Sequence, residues 1–149
     1  HDDRTAGLKY FRQQGIKNYT TVLTEELSKK NNKKRAEFLI AKDTVFNIGQ
    51  YSFETYYPGE GHAPDNIVIW FKQQKILYGA CLIKSLEDSD LGYLGDANKT
   101  AYAATVKNVQ KKCPKPRYVI PGHGDWSSVK SLEHTLNMAI ELKKKTLQQ

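Results

Sequence analysis

Hydrophobic spacing in the first quarter of the chain predicts two helices and a strand. Leu8 and Phe11 lie three residues apart, which predicts a short helix over about residues 5–14 that ends at a glycine. Residues 16–20 favour an extended strand, and a second helix is predicted to run to about Lys30. The candidate caps of this second helix are Thr21 and Thr24.

From residue 38 the spacing changes to that of β-structure. Short apolar runs separated by turn-forming residues predict a meander or hairpins, with one turn over 47–50. Residues 67–71 are apolar without alternation, which predicts a strand covered on both faces. The next predicted strand carries Cys81. The predicted strands are 38–40, 45–47, 51–57, 67–71 and 76–83.

The last third of the chain alternates helix, strand and helix. A first helix is predicted over 98–112, a short strand over 118–121, and then a final helix. The first helix is marked by Tyr102, Val106, Val109 and Cys113, and the final one by Val129, Leu132, Leu136 and Ile140. Alternation of helices with strand pairs, without an internal repeat or linker, predicts an α/β protein with one domain over residues 1–149.

Composition narrows the class of protein. A length of 149 residues fits one ordinary domain that can bury a core without a disulfide framework. With 39% hydrophobic and 26% charged residues, the composition excludes a disordered or fibrous chain. The longest apolar run, 76–83, is far shorter than the roughly 20 residues that span a bilayer.

The net charge of +7 raises the possibility of a nucleic-acid partner. However, many of the lysines are predicted to lie in the last turns of helices, where they complement the helix dipole and need no ligand. No nucleic-acid motif accompanies them. The charge therefore favours a solvated surface, and a basic binding module remains the alternative.

Five residues suited to a transition metal lie at or near predicted strand ends or before a helix: His1, Asp3, His62, Cys81 and His123. If strand ends converge on one sheet edge, these side chains meet there, and imidazole, thiolate and carboxylate are ligands that zinc prefers. Taken singly, each also fits a structural role. A histidine in a glycine-rich turn is commonly a surface residue, and a cysteine between Ala80 and Leu82 fits a small core residue.

Four separated motifs stand out: Gly-His-Ala-Pro-Asp-Asn at 61–66, Gly-Ala-Cys-Leu-Ile-Lys at 79–84, Asp-Leu-Gly at 90–92 and Pro-Gly-His-Gly at 121–124. In order and spacing they resemble the metallo-β-lactamases of class B, in the di-zinc subclass with a cysteine ligand. The resemblance implies an αβ/βα sandwich whose N-terminal strands would precede His1. It also implies that the chain starts inside a His-x-His-x-Asp motif, as the C-terminal part of a longer domain. We therefore expect little activity from the 149-residue chain alone.

The resemblance also implies two Zn²⁺ ions and their ligands. His1 and His62 would bind the first zinc, together with a histidine two residues before His1. Asp3, Cys81 and His123 would bind the second. Cys113 has no role in the family and is expected to pack against a helix, and a Cys81–Cys113 disulfide is a minor alternative. His134 is expected to be structural.

Further roles follow from the same resemblance. Asp3 would orient the nucleophile, and Lys84 would contact the carboxylate of the substrate. Tyr93 stands at a substrate-contact position where many members have asparagine. Arg4, which follows the aspartate, would balance charge behind the ligands.

The implied function is zinc-dependent hydrolysis of the β-lactam amide of antibiotics such as penicillins, cephalosporins and carbapenems, which confers resistance. The resemblance implies a periplasmic monomer that acts on a small molecule, without a nucleic-acid or membrane partner. Two alternatives remain at this point: another hydrolase of the same fold, acting on nucleic acid or thioesters, and the basic binding module.

Overall fold

The structure, a computed structural model, describes residues 5–148. The chain divides into two compact units, one ending at Asp43 and one beginning at Thr44. The first unit contains α1 (Leu8–Gln13), β1 (Tyr19–Thr21), α2 (Val22–Lys30) and β2 (Phe38–Ile40). The second contains β3 (Val45–Ile48), β4 (Tyr51–Tyr56), β5 (Val68–Phe71), β6 (Ile76–Ala80), α3 (Tyr102–Lys112), β7 (Tyr118–Pro121) and α4 (Ser131–Leu147). Among residues 5–148, no helix is both long enough and apolar enough to cross a membrane.

In the first unit, β1 and β2 form a parallel pair joined through α2. The predicted cap of α2 is confirmed, because the side chain of Thr21 accepts a hydrogen bond from the backbone N–H of Thr24 at 3.0 Å. The predicted meander is wrong for β2, which pairs with β1 and not with β3. Tyr19 and Phe38 are paired in register, and their stacked rings lie 5.1 Å apart. This cross-strand contact joins residues far apart in sequence, so local spacing does not reveal it.

Helix α2 also carries a buried carboxylate. Glu25 accepts a hydrogen bond from Nε of Arg35 at 2.6 Å, and Nζ of Lys29 lies 3.6 Å away. The hydrogen bond from Arg35 lowers the pKa of Glu25. The segment between α2 and β2 is thus tied to the helix by a charged pair.

The second unit contains a five-stranded sheet in the order β3-β4-β5-β6-β7. The first four strands are antiparallel, and β6 and β7 are parallel. The predicted hairpin is confirmed between β3 and β4, where Ile48 pairs with Tyr51 across a two-residue turn. Parallel pairing of β6 with β7 is possible because α3 provides the crossover.

One face of this sheet packs against α3 and α4. Their shared core includes Val68, Trp70, Leu77, Val106, Val109, Val119, Leu132 and Ala139. Within the described residues, β5 is buried at Val68 and Trp70 but only half-buried at the two residues on its other face, so the prediction of two covered faces is wrong in part. Val129 is 47% exposed, contrary to its predicted place in the helix stripe, because α4 begins only at Ser131.

Strand β6 is shorter than predicted, and this affects the position of Cys81. The strand ends at Ala80, and Cys81 is the first residue beyond it. Ala80 has a φ of +47°, and the pairing register shifts between Tyr78 and Ala80. The N–H of Ile83 then donates to the carbonyl of Ala80 at 3.2 Å, which closes a turn. Cys81 therefore lies in a turn at the strand end.

Helix α3 begins four residues later than predicted, at Tyr102. Asn98 still organises its start, because its side-chain oxygen accepts a hydrogen bond from the N–H of Ala101 at 3.0 Å. The predicted basic last turns are confirmed in α3 by Lys111 and Lys112, and in α4 by Lys144 and Lys145.

Candidate active site

The pairing of β5, β6 and β7 brings three predicted ligands to one edge of the sheet. Ala80 and Pro121 are partners at the carboxyl ends of two parallel strands, so Cys81 and His123 follow at the same edge. Strand β5 runs antiparallel to β6, and its first residue therefore lies at this edge also. The loop over 57–67, which carries His62, leads into that residue.

Cys81 and His123 are in direct contact. The Sγ of Cys81 lies 3.4 Å from Nε2 of His123, and Cys81 is only 9% exposed. Zinc binds thiolate at about 2.3 Å and imidazole at about 2.0 Å, which in a tetrahedral site separates the two donor atoms by about 3.5 Å. The pair therefore fits two ligands of one zinc ion. The same separation also suits a hydrogen bond between thiol and imidazole.

Two ligands do not complete a metal site. Among the residues that the structure describes, no three His, Cys, Asp or Glu side chains come together as a metal-binding group. The predicted ligands His1 and Asp3, together with Arg4, lie outside the described residues. The structure thus brings together Cys81 and His123 from the predicted second site.

His62 is buried, with 5% of its surface exposed, and lies beside Tyr102. The two ring centroids are 6.5 Å apart. The hydroxyl of Tyr102 donates to the carbonyl of Leu82 at 2.9 Å, so this side chain links the surroundings of His62 to the residue after Cys81. Burial, and then the charge of Cys81, raise the pKa of Tyr102. The phenol therefore stays protonated and continues to donate at neutral pH.

The side chain of Asn66 bridges the loop that carries His62. Asn66 accepts a hydrogen bond from the N–H of Ala63 at 2.8 Å and donates to the carbonyl of Gly59 at 3.0 Å. These two bonds span both sides of His62. Asn66 belongs to the motif at 61–66, but the sequence reasoning assigned it no role.

Helix α3 anchors the same loop from outside. The hydroxyl of Thr105 donates to the carbonyl of Glu60, and Asn108 donates to the carbonyl of Pro58 at 2.8 Å. Asn98, before the helix, donates to Oε2 of Glu60 at 2.6 Å. Sequence reasoning missed these anchors. The signal in the sequence was that Asn98, Thr105 and Asn108 are polar residues among the apolar positions of a predicted helix.

Lys84 and Tyr93, the predicted substrate contacts, lie near each other in the second unit. Lys84 is 8% exposed, and its Nζ lies against Gly92, the residue before Tyr93. Tyr93 is 64% exposed. The backbone N–H of Lys84 donates to Oγ1 of Thr135 in α4 at 2.8 Å. The structure thus offers one buried cation and one open aromatic side chain in the same region.

Cys113 and His134 are the two residues expected to be structural. Cys113 is fully buried at the end of α3, and both cysteines are free, so the disulfide alternative is wrong. Burial raises the pKa of Cys113 to about 12, which keeps the thiol neutral. Nε2 of His134 lies 2.8 Å from the carbonyl of Asp88, as expected for a histidine that holds a loop.

Comparison with known proteins identifies the class. No protein-family model matches the chain. It is 42% identical over 145 residues to the metallo-β-lactamase type 2 of Elizabethkingia meningoseptica, which covers 97% of this chain and 58% of the relative. Among solved structures, the metallo-β-lactamase from Pontibacter korlensis superposes with a TM-score of 0.90 at 38% identity, covering 94% of this chain and 65% of that one. The DIM-1 metallo-β-lactamase exposed to ceftazidime gives a TM-score of 0.88 at 36% identity, with coverages of 95% and 64%.

The sheet, its helices and the donors at its edge therefore define a protein of the metallo-β-lactamase fold, which confirms the predicted fold class. More narrowly, the chain is homologous to the class B metallo-β-lactamases over nearly all of its length. It spans about three fifths of the length of the relatives that it matches.

Proposed function

We propose that the protein hydrolyses the amide bond of β-lactam antibiotics with the help of zinc, and so confers resistance. The observation that carries this proposal is the contact between Cys81 and His123, 3.4 Å apart at the sheet edge of a metallo-β-lactamase homologue. One solved relative, the DIM-1 metallo-β-lactamase, was exposed to ceftazidime, a β-lactam. The donor types suit zinc better than calcium or magnesium, which prefer oxygen ligands.

Five residues would hold the metal ions in this proposal. His1 and His62 would bind one zinc, and Asp3, Cys81 and His123 would bind the other. Zinc in such sites acts as a Lewis acid and makes water a nucleophile at neutral pH. The domain that holds both ions is proposed to extend over residues 1–149.

The other proposed roles concern the substrate and the surroundings of the metal ions. Lys84 binds the carboxylate of the substrate, because a cation buried to 8% exposure is screened less by water than a surface lysine. Tyr93 is open to solvent and contacts the substrate from outside. Asp3 would orient the attacking group, and Arg4 would balance the charge of the ligands.

Turnover of a chromogenic cephalosporin by the intact protein tests the proposal. We expect hydrolysis that stops when a chelator removes the metal and returns when Zn²⁺ is added, with two zinc ions per protein by elemental analysis. Hydrolysis of a nuclease or thioester substrate without cephalosporin turnover would instead indicate another hydrolase of the same fold. A protein without zinc and without any turnover would indicate the basic binding module.

We further propose that the protein acts as a periplasmic monomer on a small-molecule substrate. The family resemblance supports this placement. Cell fractionation with an antibody and light scattering of the purified protein test the two statements. A cytoplasmic protein or a stable dimer would contradict them.

A further inference from the structure

A buried hydroxyl in the last helix holds the backbone of Lys84. Thr135 is fully buried in α4, and its Oγ1 accepts a hydrogen bond from the N–H of Lys84 at 2.8 Å. The same hydroxyl donates to the carbonyl of Ser131 at 2.7 Å, one turn earlier in the helix. The carbonyl of Lys84 lies 3.4 Å from it. One side chain therefore meets both backbone polar groups of Lys84.

The residues on either side of Lys84 have bonds of their own, since the N–H of Gly122 donates to the carbonyl of Ile83 at 3.4 Å and the N–H of Ser85 donates to Oδ2 of Asp88 at 2.9 Å. The bond to Thr135 holds the backbone of Lys84 itself. Lys84 follows β6 by four residues and lies outside any strand. Burial of its N–H requires a partner, since an unpaired buried donor costs about 1 to 3 kcal/mol. The hydroxyl of Thr135 is oriented by its own bond to the carbonyl of Ser131. A site side chain held by a second, packed residue keeps its geometry.

We propose that Thr135 is a positioning residue for substrate recognition, which acts by fixing the backbone from which Lys84 reaches the substrate carboxylate. This inference rests on the proposed function of Lys84. It adds a specificity determinant that lies 51 residues further along the chain, in a helix that supplies none of the predicted ligands.

The test compares Thr135→Val, which removes the hydroxyl with little change in shape, with Thr135→Ser, which keeps it. For a cephalosporin with a free carboxylate, we expect Thr135→Val to raise KM about 3-fold to 10-fold, as loss of one hydrogen bond predicts. The kcat and the zinc content should change less than about twofold, since Thr135 touches no predicted metal ligand among the described residues. Thr135→Ser should restore the wild-type KM.

Two controls separate positioning from general loss of structure. Thr146 in the same helix makes the same kind of bond, to the carbonyl of Leu142 at 2.9 Å, and has no hydrogen bond to any site residue within 5–148. Thr146→Val should leave KM unchanged. The methyl ester of the substrate, which lacks the carboxylate, should show the same KM with wild type and with Thr135→Val. Amide hydrogen exchange at Lys84 should accelerate at least 10-fold in Thr135→Val only.

The outcomes distinguish the two proposals. If wild type does not hydrolyse the cephalosporin, the proposed function fails and this inference fails with it. If wild type is active and Thr135→Val leaves KM unchanged, or raises it equally for the ester, only the positioning role is overturned. If Thr135→Val does not fold, Thr135→Cys gives the same test, because a thiol is a weaker donor and acceptor than a hydroxyl. Its KM should lie above that of wild type and below that of Lys84→Met, a variant that lacks the cation altogether.

Discussion

Cys81 and His123 reach the site by a different physical route from His62. The first two follow the ends of neighbouring parallel strands, so the sheet ladder itself brings them to a separation of 3.4 Å. His62 lies in a loop without strand pairing, whose position depends on side-chain hydrogen bonds from Asn66 and from helix α3.

This comparison shows which part of the site tolerates change. A ladder distributes its stability over many backbone hydrogen bonds, so one side chain outside the contact matters little. A loop held by a few side-chain bonds loses position when one of them is removed. We therefore expect substitutions around His62 to act locally, and substitutions of Cys81 or His123 to remove the ligand itself.

The largest effect should come from a substitution of Cys81, which lies beside His123 at the strand ends. Cys81→Ser removes the thiolate, and we expect kcat/KM for a cephalosporin to fall at least about 100-fold, since even loss of an outer partner of a metal ligand costs 10-fold to 100-fold. Elemental analysis should show about one zinc in place of two. The matched control is Cys113→Ser, which changes the other buried cysteine and should keep both zinc ions. Unchanged activity with two retained zinc ions in Cys81→Ser would refute its role as a ligand.

The second-largest effect is expected from a substitution in the turn that carries His123. Gly124 has a φ of +73°, and a Cβ there would lie 2.8 Å from Cβ of Ser85. We expect Gly124→Ala to lower the free energy of unfolding by about 2 to 5 kcal/mol, from backbone strain and overpacking together. Gly49 in the β3–β4 turn has a φ of +58° with no atom within 4 Å, so Gly49→Ala should cost only the strain, about 1 to 2 kcal/mol.

Urea unfolding of both alanine variants measures this difference. Equal losses would mean that Gly124 does not pack against Ser85, and the anchoring of the His123 turn would have to be reconsidered.

A smaller effect is expected in the loop of His62. Asn66→Ala removes two hydrogen bonds, to Ala63 and Gly59, which predicts a loss of about 1 to 3 kcal/mol in the free energy of unfolding. Because His62 would lose its position, we also expect weaker zinc binding at the first site, with the second site unchanged. Zinc titration in the presence of a competing chelator checks this. Equal weakening of zinc binding at both sites would contradict the idea that the loop of His62 is held independently of Cys81 and His123.

The smallest effect concerns Tyr102, which links the two regions. Tyr102→Phe leaves the carbonyl of Leu82 without its 2.9 Å hydrogen bond, at a cost of about 1 to 2 kcal/mol near pH 7. The folded-state pKa of Tyr102 lies above its ordinary value of 10.0, so above pH 10 the unfolded chain loses this proton first. The free energy of unfolding of wild type then falls by up to about 1.4 kcal/mol per pH unit. Tyr102→Phe has no phenol at this position and does not show this loss.

The difference in free energy of unfolding between wild type and Tyr102→Phe should therefore shrink between pH 10 and pH 11, as expected for one titrating group. Urea unfolding at both pH values checks it. A constant difference would show that Tyr102 titrates alike in the folded and unfolded chains.

The same comparison explains how much could be predicted from the sequence. Strand β7 was predicted with its observed bounds, because a short apolar run between turn formers is a local signal. The cap of α2 at Thr21 is also local. The end of β6 was missed, because Ala80 adopts a positive φ that its residue type does not indicate.

Features that join distant residues could not be read from spacing. The anchors of the His62 loop connect positions 38 to 50 residues apart, and the bond from Lys84 to Thr135 spans 51. Hydrophobic periodicity treats Asn98, Asn108 and Thr135 as ordinary polar positions. Residue type and position at predicted strand ends identified the five candidate ligands, and the resemblance to a known family assigned them to two zinc ions. Of these five, the described residues include His62, Cys81 and His123.

The proposed hydrolysis depends above all on a metal ion bound by the thiolate of Cys81 beside His123. Replacement of zinc by Co²⁺ tests this directly, because a cobalt ion bound to thiolate gives a sulfur-to-metal charge-transfer absorption band. We predict that wild type and Cys113→Ser show this band and that Cys81→Ser lacks it. A band that persists in Cys81→Ser, or its absence from cobalt-loaded wild type, would contradict the account.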